Sequence, residues 1–134
     1  MGDAFAKGFL RRGAVLLCHR FQFADGPHPK FVVLMEDYDP ARPDTVVALP
    51  TSKMRFRDRL SVVYLPPGEG GMDGEGLLDC NNCHKVPTAA LAALQGYTYK
   101  GQLSEALMVE VERALLYATQ LPEDIALRLL GPED

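Results

Sequence analysis

Residues 30–50 read KFVVLMEDYDPARPDTVVALP, and this stretch decides the fold class. It holds two short apolar runs, Lys30 to Asp37 and Thr45 to Pro50, and each run predicts a β-strand. Pro40 and Pro43 lie between the runs and prevent a helix from forming there. Because the connection is short, we expect the two strands to pair antiparallel.

Further strands are expected on both sides of this pair. The other short apolar or extended runs are Ala14 to Phe21, Leu60 to Leu65, Leu77 to Val86 and Tyr97 to Tyr99. A turn at Asp25-Gly26-Pro27 separates the first strand from the second. Five glycines fall between residues 68 and 76, and such a segment predicts a mobile loop.

The C-terminal third of the chain predicts helices. Apolar residues recur at helical spacing from Leu103 to Gln120, with Ser104 as a fitting N-cap. A second helix should begin at Pro122 and end at Gly131, and Thr88 could cap a short helical turn before them. Strands followed by helices predict an α+β fold, a small, strongly bent antiparallel β-barrel with C-terminal helices in a single domain over 1–134.

Composition narrows the class of protein. The 134 residues are 47% hydrophobic and 24% charged, which suffices for one packed core. No run approaches the roughly 18 apolar residues of a membrane span, and three cysteines favour free thiols in a reducing compartment. The expected location is therefore the cytoplasm. A net charge of −4 counts mildly against non-specific nucleic-acid binding, although it leaves room for a local basic patch.

The order of these elements resembles the MazF/PemK-type toxins of bacterial toxin–antitoxin pairs. That family has a small SH3-like barrel with a C-terminal helix, so the resemblance implies this fold. The segments that carry it are Arg12-Gly13-Ala14-Val15-Leu16, Gly26-Pro27-His28-Pro29-Lys30, Leu49-Pro50-Thr51-Ser52, Lys85-Val86-Pro87 and Gly101-Gln102-Leu103-Ser104-Glu105.

The resemblance also implies an activity. Toxins of this type cut single-stranded RNA without a metal or cofactor, with the ribose 2′-hydroxyl as nucleophile. An arginine before the proline of the second strand and a Ser/Thr at the end of the third strand usually serve the reaction. The matching positions here are His28, Thr51 and Ser52, and His28 departs from the pattern because imidazole lacks the permanent charge of guanidinium. The family further implies a homodimer and an antitoxin partner.

To bind RNA the protein would also need positive charge, and the sequence places basic residues close to Thr51 and Ser52. The basic candidates are Lys30, Lys53, Arg55, Arg57 and Arg59, four of them in the segment SKMRFRDR. A solvated loop of alternating charge is the alternative for that segment, and a plain surface residue is the alternative for His28. Tyr97 and Tyr99 should share one face, where they could stack on bases or pack in the core. A non-catalytic binding module of the same fold is the alternative function.

Cys80, Cys83 and His84 form a C-x-x-C-H motif typical of haem attachment, but the chain shows no secretory leader that such attachment would require. A zinc site that adds Cys18 or His19 is a further possibility. Against it, Cys18-His19 is one adjacent pair and lacks the second C-x-x-C or H-x-x-x-H of a strong zinc motif. In an extended strand, Cys80 and Cys83 should point to opposite faces. Asp25 and Glu36 are additional polar candidates that no spacing singles out.

Overall fold

The computed structural model describes residue 6, residues 8–21, with the backbone alone for 20 and 21, and residues 28–131. Asp25 and the turn around it lie outside these ranges. The strands of this part of the chain are β1 Ala14–Phe21, β2 His28–Leu34, β3 Asp44–Thr51, β4 Val62–Leu65, β5 Gly76–Pro87 and β6 Tyr97–Gln102. The helices are α1 Thr88–Ala92, α2 Glu105–Leu115 and α3 Glu123–Leu130.

The strands form one antiparallel sheet in the order β4-β5-β3-β2-β1-β6. The sheet curls into a half-barrel, which confirms the α+β class expected from the sequence. β2 is shifted toward the N-terminus relative to the predicted strand Lys30 to Asp37, since it begins at His28 and ends at Leu34. The residues after Leu34 form the bend toward β3.

The sheet carries a hydrophobic core on each face. One core, here called the α2 core, packs Leu107 and Val111 of α2 and Ile125 of α3 against the sheet. The other, the α1 core, contains Leu10 from the N-terminal segment and Leu91 of α1. Side chains alternate between the two along the central strands, as a strand buried on both faces requires.

Tyr97 and Tyr99 both pack against the α1 core, and the ring of Tyr99 meets Phe9 edge to face with centroids 5.0 Å apart. Their shared face is confirmed. Since the rings contact the core, they are not arranged as an exposed stacking platform.

The helices differ from the sequence prediction at their ends. α2 spans Glu105–Leu115 rather than reaching Gln120, because turn bonds replace helical ones from Leu116 onward. The Ser104 cap is confirmed, since its hydroxyl accepts a hydrogen bond from the Leu107 amide. The Thr88 cap is wrong: Thr88 lies inside α1, and its hydroxyl bonds that of Thr45 at 2.7 Å.

Residues 68–72 contact the neighbouring strands and the start of α2, and the mobility expected for the wider glycine-rich segment 68–76 stays a prediction. Glu69 accepts a hydrogen bond from the Ser104 amide. A Cβ on Gly70 would lie 2.4 Å from Val15, and one on Gly71 would lie 2.4 Å from the Lys100 carbonyl oxygen. The glycines therefore permit a close approach to β1 and β6 that no other residue allows.

We expect Gly71→Ala to destabilise the protein by about 1–3 kcal/mol, because the new methyl group meets backbone at a positive φ. Urea unfolding followed by circular dichroism measures the change. Gly74→Ala is the matched control, since a Cβ there meets nothing within 4 Å, and it should shift the free energy of unfolding by less than about 0.5 kcal/mol. Equal effects of the two substitutions would show that the close approach does not constrain this loop.

Glu36, a polar candidate from the sequence, has a structural role in joining α3 to the sheet. It is almost fully buried and accepts hydrogen bonds from the Val46 amide at 2.8 Å and from the guanidinium groups of Arg42 and Arg128. Arg128 also bonds the side chain and the carbonyl oxygen of Asp44. This group of residues, the Glu36 network, fastens α3 to the start of β3.

Candidate functional site

The neighbouring strands β2 and β3 separate toward one end of the sheet. Among the described residues they form two pairs only, Val33 with Ala48 and Leu34 with Val47. Continuing that register would set Lys30 opposite Thr51. Pro50 has no amide hydrogen to donate, which favours the end of the ladder at this point. The separation leaves space at the ends of both strands.

Two cavities open at this end, and they share Pro50, Thr51 and Ser52 in their walls. The first, here called the lysine cavity, has a volume of about 320 Å³ and is lined by Lys30, Leu49, Pro50, Thr51, Ser52, Lys53 and Asn82. The second, the apolar cavity, measures about 190 Å³ and is lined by Phe31, Pro50, Thr51, Ser52, Leu65, Met72, Gly74, Glu75 and Gly76.

The structure therefore brings together four of the residues predicted from sequence: Lys30, Thr51, Ser52 and Lys53. The Thr51 hydroxyl accepts a hydrogen bond from the Lys53 amide at 3.2 Å, so the turn after β3 holds this oxygen in place. A hydroxyl that accepts one bond still has its own proton to donate. Two ammonium groups and two hydroxyls around one cavity match the chemistry of a phosphate group.

Asn82 completes the wall of the lysine cavity through an irregularity in β5. Ala48 pairs with Cys83 and Pro50 with Leu78, so an advance of two positions along β3 corresponds to five positions along β5. The bulge is stabilised by the backbone amide of Asn81, which donates a hydrogen bond of 2.9 Å to the Asp79 carboxylate. Asn82 donates to the Leu49 carbonyl oxygen at 3.3 Å. Sequence analysis missed Asn82, because only the bulge brings it to the end of β3.

His28 lies at the start of β2, opposite Phe21 of β1, and is exposed. It lines neither cavity. It is two residues before Lys30 on a regular strand, so the two side chains point to the same face with roughly 7 Å between them. His28 is thus at the margin of the lysine cavity and not in its wall.

The basic turn after β3 places its arginines on aromatic rings. The guanidinium groups of Arg55 and Arg59 lie 4.7 and 4.3 Å from the centre of the Phe56 ring, and that of Arg57 lies 5.3 Å from the centre of the Tyr64 ring. All three arginines are exposed and line neither cavity. Cation–π contacts restrict where these charges can reach.

Among the described residues that line the apolar cavity, Glu75 is the one that carries a charge, and sequence analysis missed it. The Tyr64 hydroxyl donates a hydrogen bond of 2.7 Å to the Glu75 carboxylate. This hydrogen bond is the main reason why the pKa of Tyr64 is raised above its usual value. No motif marks Glu75, because its position depends on the pairing of β4 with β5.

A larger cavity, of about 740 Å³, lies between the N-terminal segment and the start of α2. The ion pair of Arg12 with Glu112 is part of its wall. None of the site residues predicted from sequence lines it. Among the described parts of the chain, no helix is both long and apolar enough to span a membrane.

Cys80 and Cys83 lie in the same core, so the expectation that they point to opposite faces is wrong. The bulge in β5 shifts the alternation of side chains, and both thiols enter the α2 core. Burial, the main cause in each case, raises the pKa of Cys80 and of Cys83 to about 12. Cys18 belongs to the α1 core on the other face of the sheet.

The side chains suggested as zinc ligands therefore do not lie around one point. His84 is held at 3.0 Å from the Asn82 side chain, and His19 bonds Thr98. In the ranges that the structure describes, no three His, Cys, Asp or Glu side chains come close enough to hold a metal ion. The C-x-x-C-H motif is explained by packing in the α2 core.

We expect Cys80 and Cys83 to resist iodoacetamide at about pH 8 in the folded protein, since at a pKa of about 12 only about one thiol in ten thousand is ionised. In guanidinium chloride both should be labelled quickly. Peptide mass spectrometry after each treatment measures the two rates. Rapid labelling of either cysteine in the native protein would contradict its position in the α2 core.

Comparison with solved structures identifies the fold. An endoribonuclease from a mycobacterial species, solved with its cognate antitoxin, matches with a TM-score of 0.62 at 19% identity, over 84% of this chain and 96% of that one. A MazF chain from a Deinococcus radiodurans MazE–MazF complex matches with a TM-score of 0.57 at 14% identity, over 92% and 96% of the two chains.

These matches confirm the MazF/PemK-like fold that the sequence motifs implied. No family model matches the chain, and no curated protein matches it in sequence. At 14–19% identity the likeness covers the fold alone. Any activity of this chain depends on its own residues at the site.

Proposed function

We propose that this chain is an endoribonuclease of the MazF/PemK type, which cleaves single-stranded RNA at the lysine cavity. The observation that carries the proposal is the meeting of Lys30, Lys53, Thr51 and Ser52 around one cavity at the separated ends of β2 and β3. Solved proteins of the same fold are described as endoribonucleases, which supports the same activity here.

The lysine cavity would hold the phosphate at which the chain is cut. Lys30, on β2, and Lys53, in the turn after β3, both line it and would oppose the negative charge that builds on the phosphate oxygens in the transition state. Thr51 and Ser52 would donate hydrogen bonds to the same oxygens. Because the turn after β3 already fixes the Thr51 oxygen, little reorganisation is needed when the phosphate binds.

Cleavage requires two proton transfers. The ribose 2′-oxygen forms a bond to phosphorus and gives up its proton, and the bond from phosphorus to the 5′-oxygen breaks as that oxygen takes a proton from water. We assign the first transfer to His28, whose imidazole is exposed on the same face as Lys30. Neutral imidazole can accept a proton near neutral pH.

Induced expression in bacteria combined with an RNA assay tests the proposal. We expect growth arrest on induction and specific fragments when the purified protein is mixed with single-stranded RNA. Analysis of the fragment ends should find a cyclic phosphate, as attack by the 2′-oxygen requires. Normal growth together with intact RNA would refute the endoribonuclease function.

Lys53→Met should weaken RNA binding in a salt-dependent way. If Lys53 neutralises one phosphate, the plot of log affinity against log salt should become shallower by about 0.7. Lys100→Met is the control, since Lys100 is an exposed lysine on β6 that lines neither cavity. Fluorescence anisotropy over a salt series measures both. An identical slope for wild type and Lys53→Met would remove Lys53 from the site.

A non-catalytic binding module is the second candidate, and the position of His28 favours it. His28 stands where the family places an arginine, and it lines neither cavity. In that case the protein binds RNA and leaves it intact. His28→Arg distinguishes the two cases, since a gain of cleavage in this variant would assign the missing activity to the missing guanidinium.

An antitoxin partner, a homodimer and a cytoplasmic location complete the proposal. The mycobacterial and Deinococcus proteins of this fold were each solved with an antitoxin, which supports a protein partner of the same kind. Light scattering after size-exclusion chromatography measures the mass of the particle. A mass of 14.7 kDa would contradict the homodimer.

A further inference from the structure

We propose that the apolar cavity binds one guanine base of the RNA and that Glu75 selects guanine through its Watson–Crick edge. This inference rests on the proposed function and deepens it, because it names the base that lies beside the cleaved phosphate. The proposal depends on one observation: a carboxylate, bonded by a tyrosine, lies in the wall of a small and mainly apolar cavity, where the other polar side chains described are the hydroxyls of Thr51 and Ser52.

The cavity suits a single ring system. Its volume of about 190 Å³ is below the roughly 300 Å³ at which sites for drug-sized ligands begin. Phe31, Leu65 and Met72 supply apolar surface, and Phe31 offers an aromatic ring. Unpaired bases in RNA are commonly held by such stacking contacts, which accept any base by its flat face. The size and apolar lining of the cavity therefore fit a base of any kind. Selectivity for one base requires a polar group in the cavity wall.

Glu75 is held in a defined position by its neighbours. One carboxylate oxygen, Oε2, accepts the hydrogen bond from the Tyr64 hydroxyl, and Arg57 lies over the Tyr64 ring. The other oxygen, Oε1, forms no hydrogen bond with any residue that the structure describes. Glu75 is exposed and borders the cavity. It therefore presents acceptors to whatever enters.

A carboxylate distinguishes the four bases by their donors. An ionised carboxylate accepts hydrogen bonds and donates none. Guanine alone presents two adjacent donors on its Watson–Crick edge, N1–H and the N2 amino group, which can form two parallel bonds to one carboxylate. Adenine and cytosine each present an amino group beside an acceptor nitrogen, and uracil presents one N–H between two carbonyl oxygens. Those acceptors would be repelled by the carboxylate.

The position of the apolar cavity fits a base next to the cleaved phosphate. Pro50, Thr51 and Ser52 belong to the walls of both cavities. A phosphate that meets Thr51 and Ser52 in the lysine cavity leaves its own or the neighbouring base close to the apolar cavity. The two cavities together can therefore hold one phosphate and one base of the same strand.

Two measurements on the 134-residue chain test the inference. In the first, a pool of randomised single-stranded RNA is cleaved and the new ends are sequenced. In the second, anisotropy measures binding to uridine oligonucleotides with 2′-O-methyl groups, which cannot be cleaved, and with G, A, C or U at one position. We expect wild type to prefer G by about tenfold or more in both, as for a bidentate contact to a base.

Glu75→Gln should abolish this preference, because the amide brings a donor to the place of an acceptor. Cleavage and binding at the other three bases should be retained. Asp73→Asn is the matched control: it removes the same charge from the same loop at an exposed residue outside the cavity wall, and the preference for G should persist.

The possible results separate the inference from the proposed function. Cleavage without preference for G would overturn the guanine site and leave the endoribonuclease standing. Selective binding of the G oligonucleotide without cleavage would support the guanine site and refute the enzyme. A preference for G that survives Glu75→Gln would overturn the role of Glu75, and loss of both binding and cleavage in wild type would refute both proposals.

Discussion

Replacing both Thr51 and Ser52 by alanine is expected to slow RNA cleavage by about 100-fold or more, the usual cost of losing a donor to the charged oxygen of a transition state. The two hydroxyls border both cavities and lie where the phosphate would bind. The variant should also abolish growth arrest on induced expression. Initial rates with a fluorescent single-stranded RNA measure the loss.

A second threonine controls for the removal of a hydroxyl as such. Thr98 is exposed on β6, and β2 and β1 separate that strand from β3. Thr98→Ala should cleave RNA at the wild-type rate. Circular dichroism and a melting curve establish that the double variant is folded, since the Thr51 hydroxyl also accepts the Lys53 amide. A folded double variant with full activity would exclude the lysine cavity as the active site.

Glu36→Gln is expected to lower the free energy of unfolding by about 3 kcal/mol, within the range for breaking a buried ion pair by removing one partner. Glu36 is 8% exposed, and its carboxylate accepts hydrogen bonds from two guanidinium groups and one backbone amide. The neutral side chain leaves Arg42 and Arg128 facing each other without its charge between them. The melting temperature should fall by about 10 °C.

Two further variants show whether burial causes this loss. Arg128→Met should cost less, because Glu36 keeps its bonds from Arg42 and the Val46 amide. Lys85→Met removes the exposed pair with Asp124, and it should leave the melting temperature almost unchanged, since exposed pairs contribute little. An effect of Lys85→Met as large as that of Glu36→Gln would show that burial of the Glu36 network is not what stabilises α3.

Local chemistry explains why the elements were predictable. Strands and helices follow from periodic apolar residues, prolines and caps, which act over a few positions of the chain. The strand Ala14–Phe21 and the Ser104 cap were therefore predicted correctly. Where a long-range contact competes with the local pattern, the prediction was wrong: Thr88 bonds Thr45 rather than capping a helix.

The sequence by itself determined the α+β fold class, because strand and helix patterns depend on residues adjacent along the chain. The family resemblance and the basic segment beside the hydroxyl pair supplied the candidates His28, Thr51, Ser52, Lys30, Lys53, Arg55 and Arg57. Only the tertiary structure decided which of these candidates meet: Lys30, Thr51, Ser52 and Lys53 line one cavity where β2 and β3 separate, whereas His28, Arg55 and Arg57 line neither cavity. It also brought in Glu75 and Asn82 through the pairings of β5. Sheet register and bulges join residues far apart in sequence, and no local pattern encodes them.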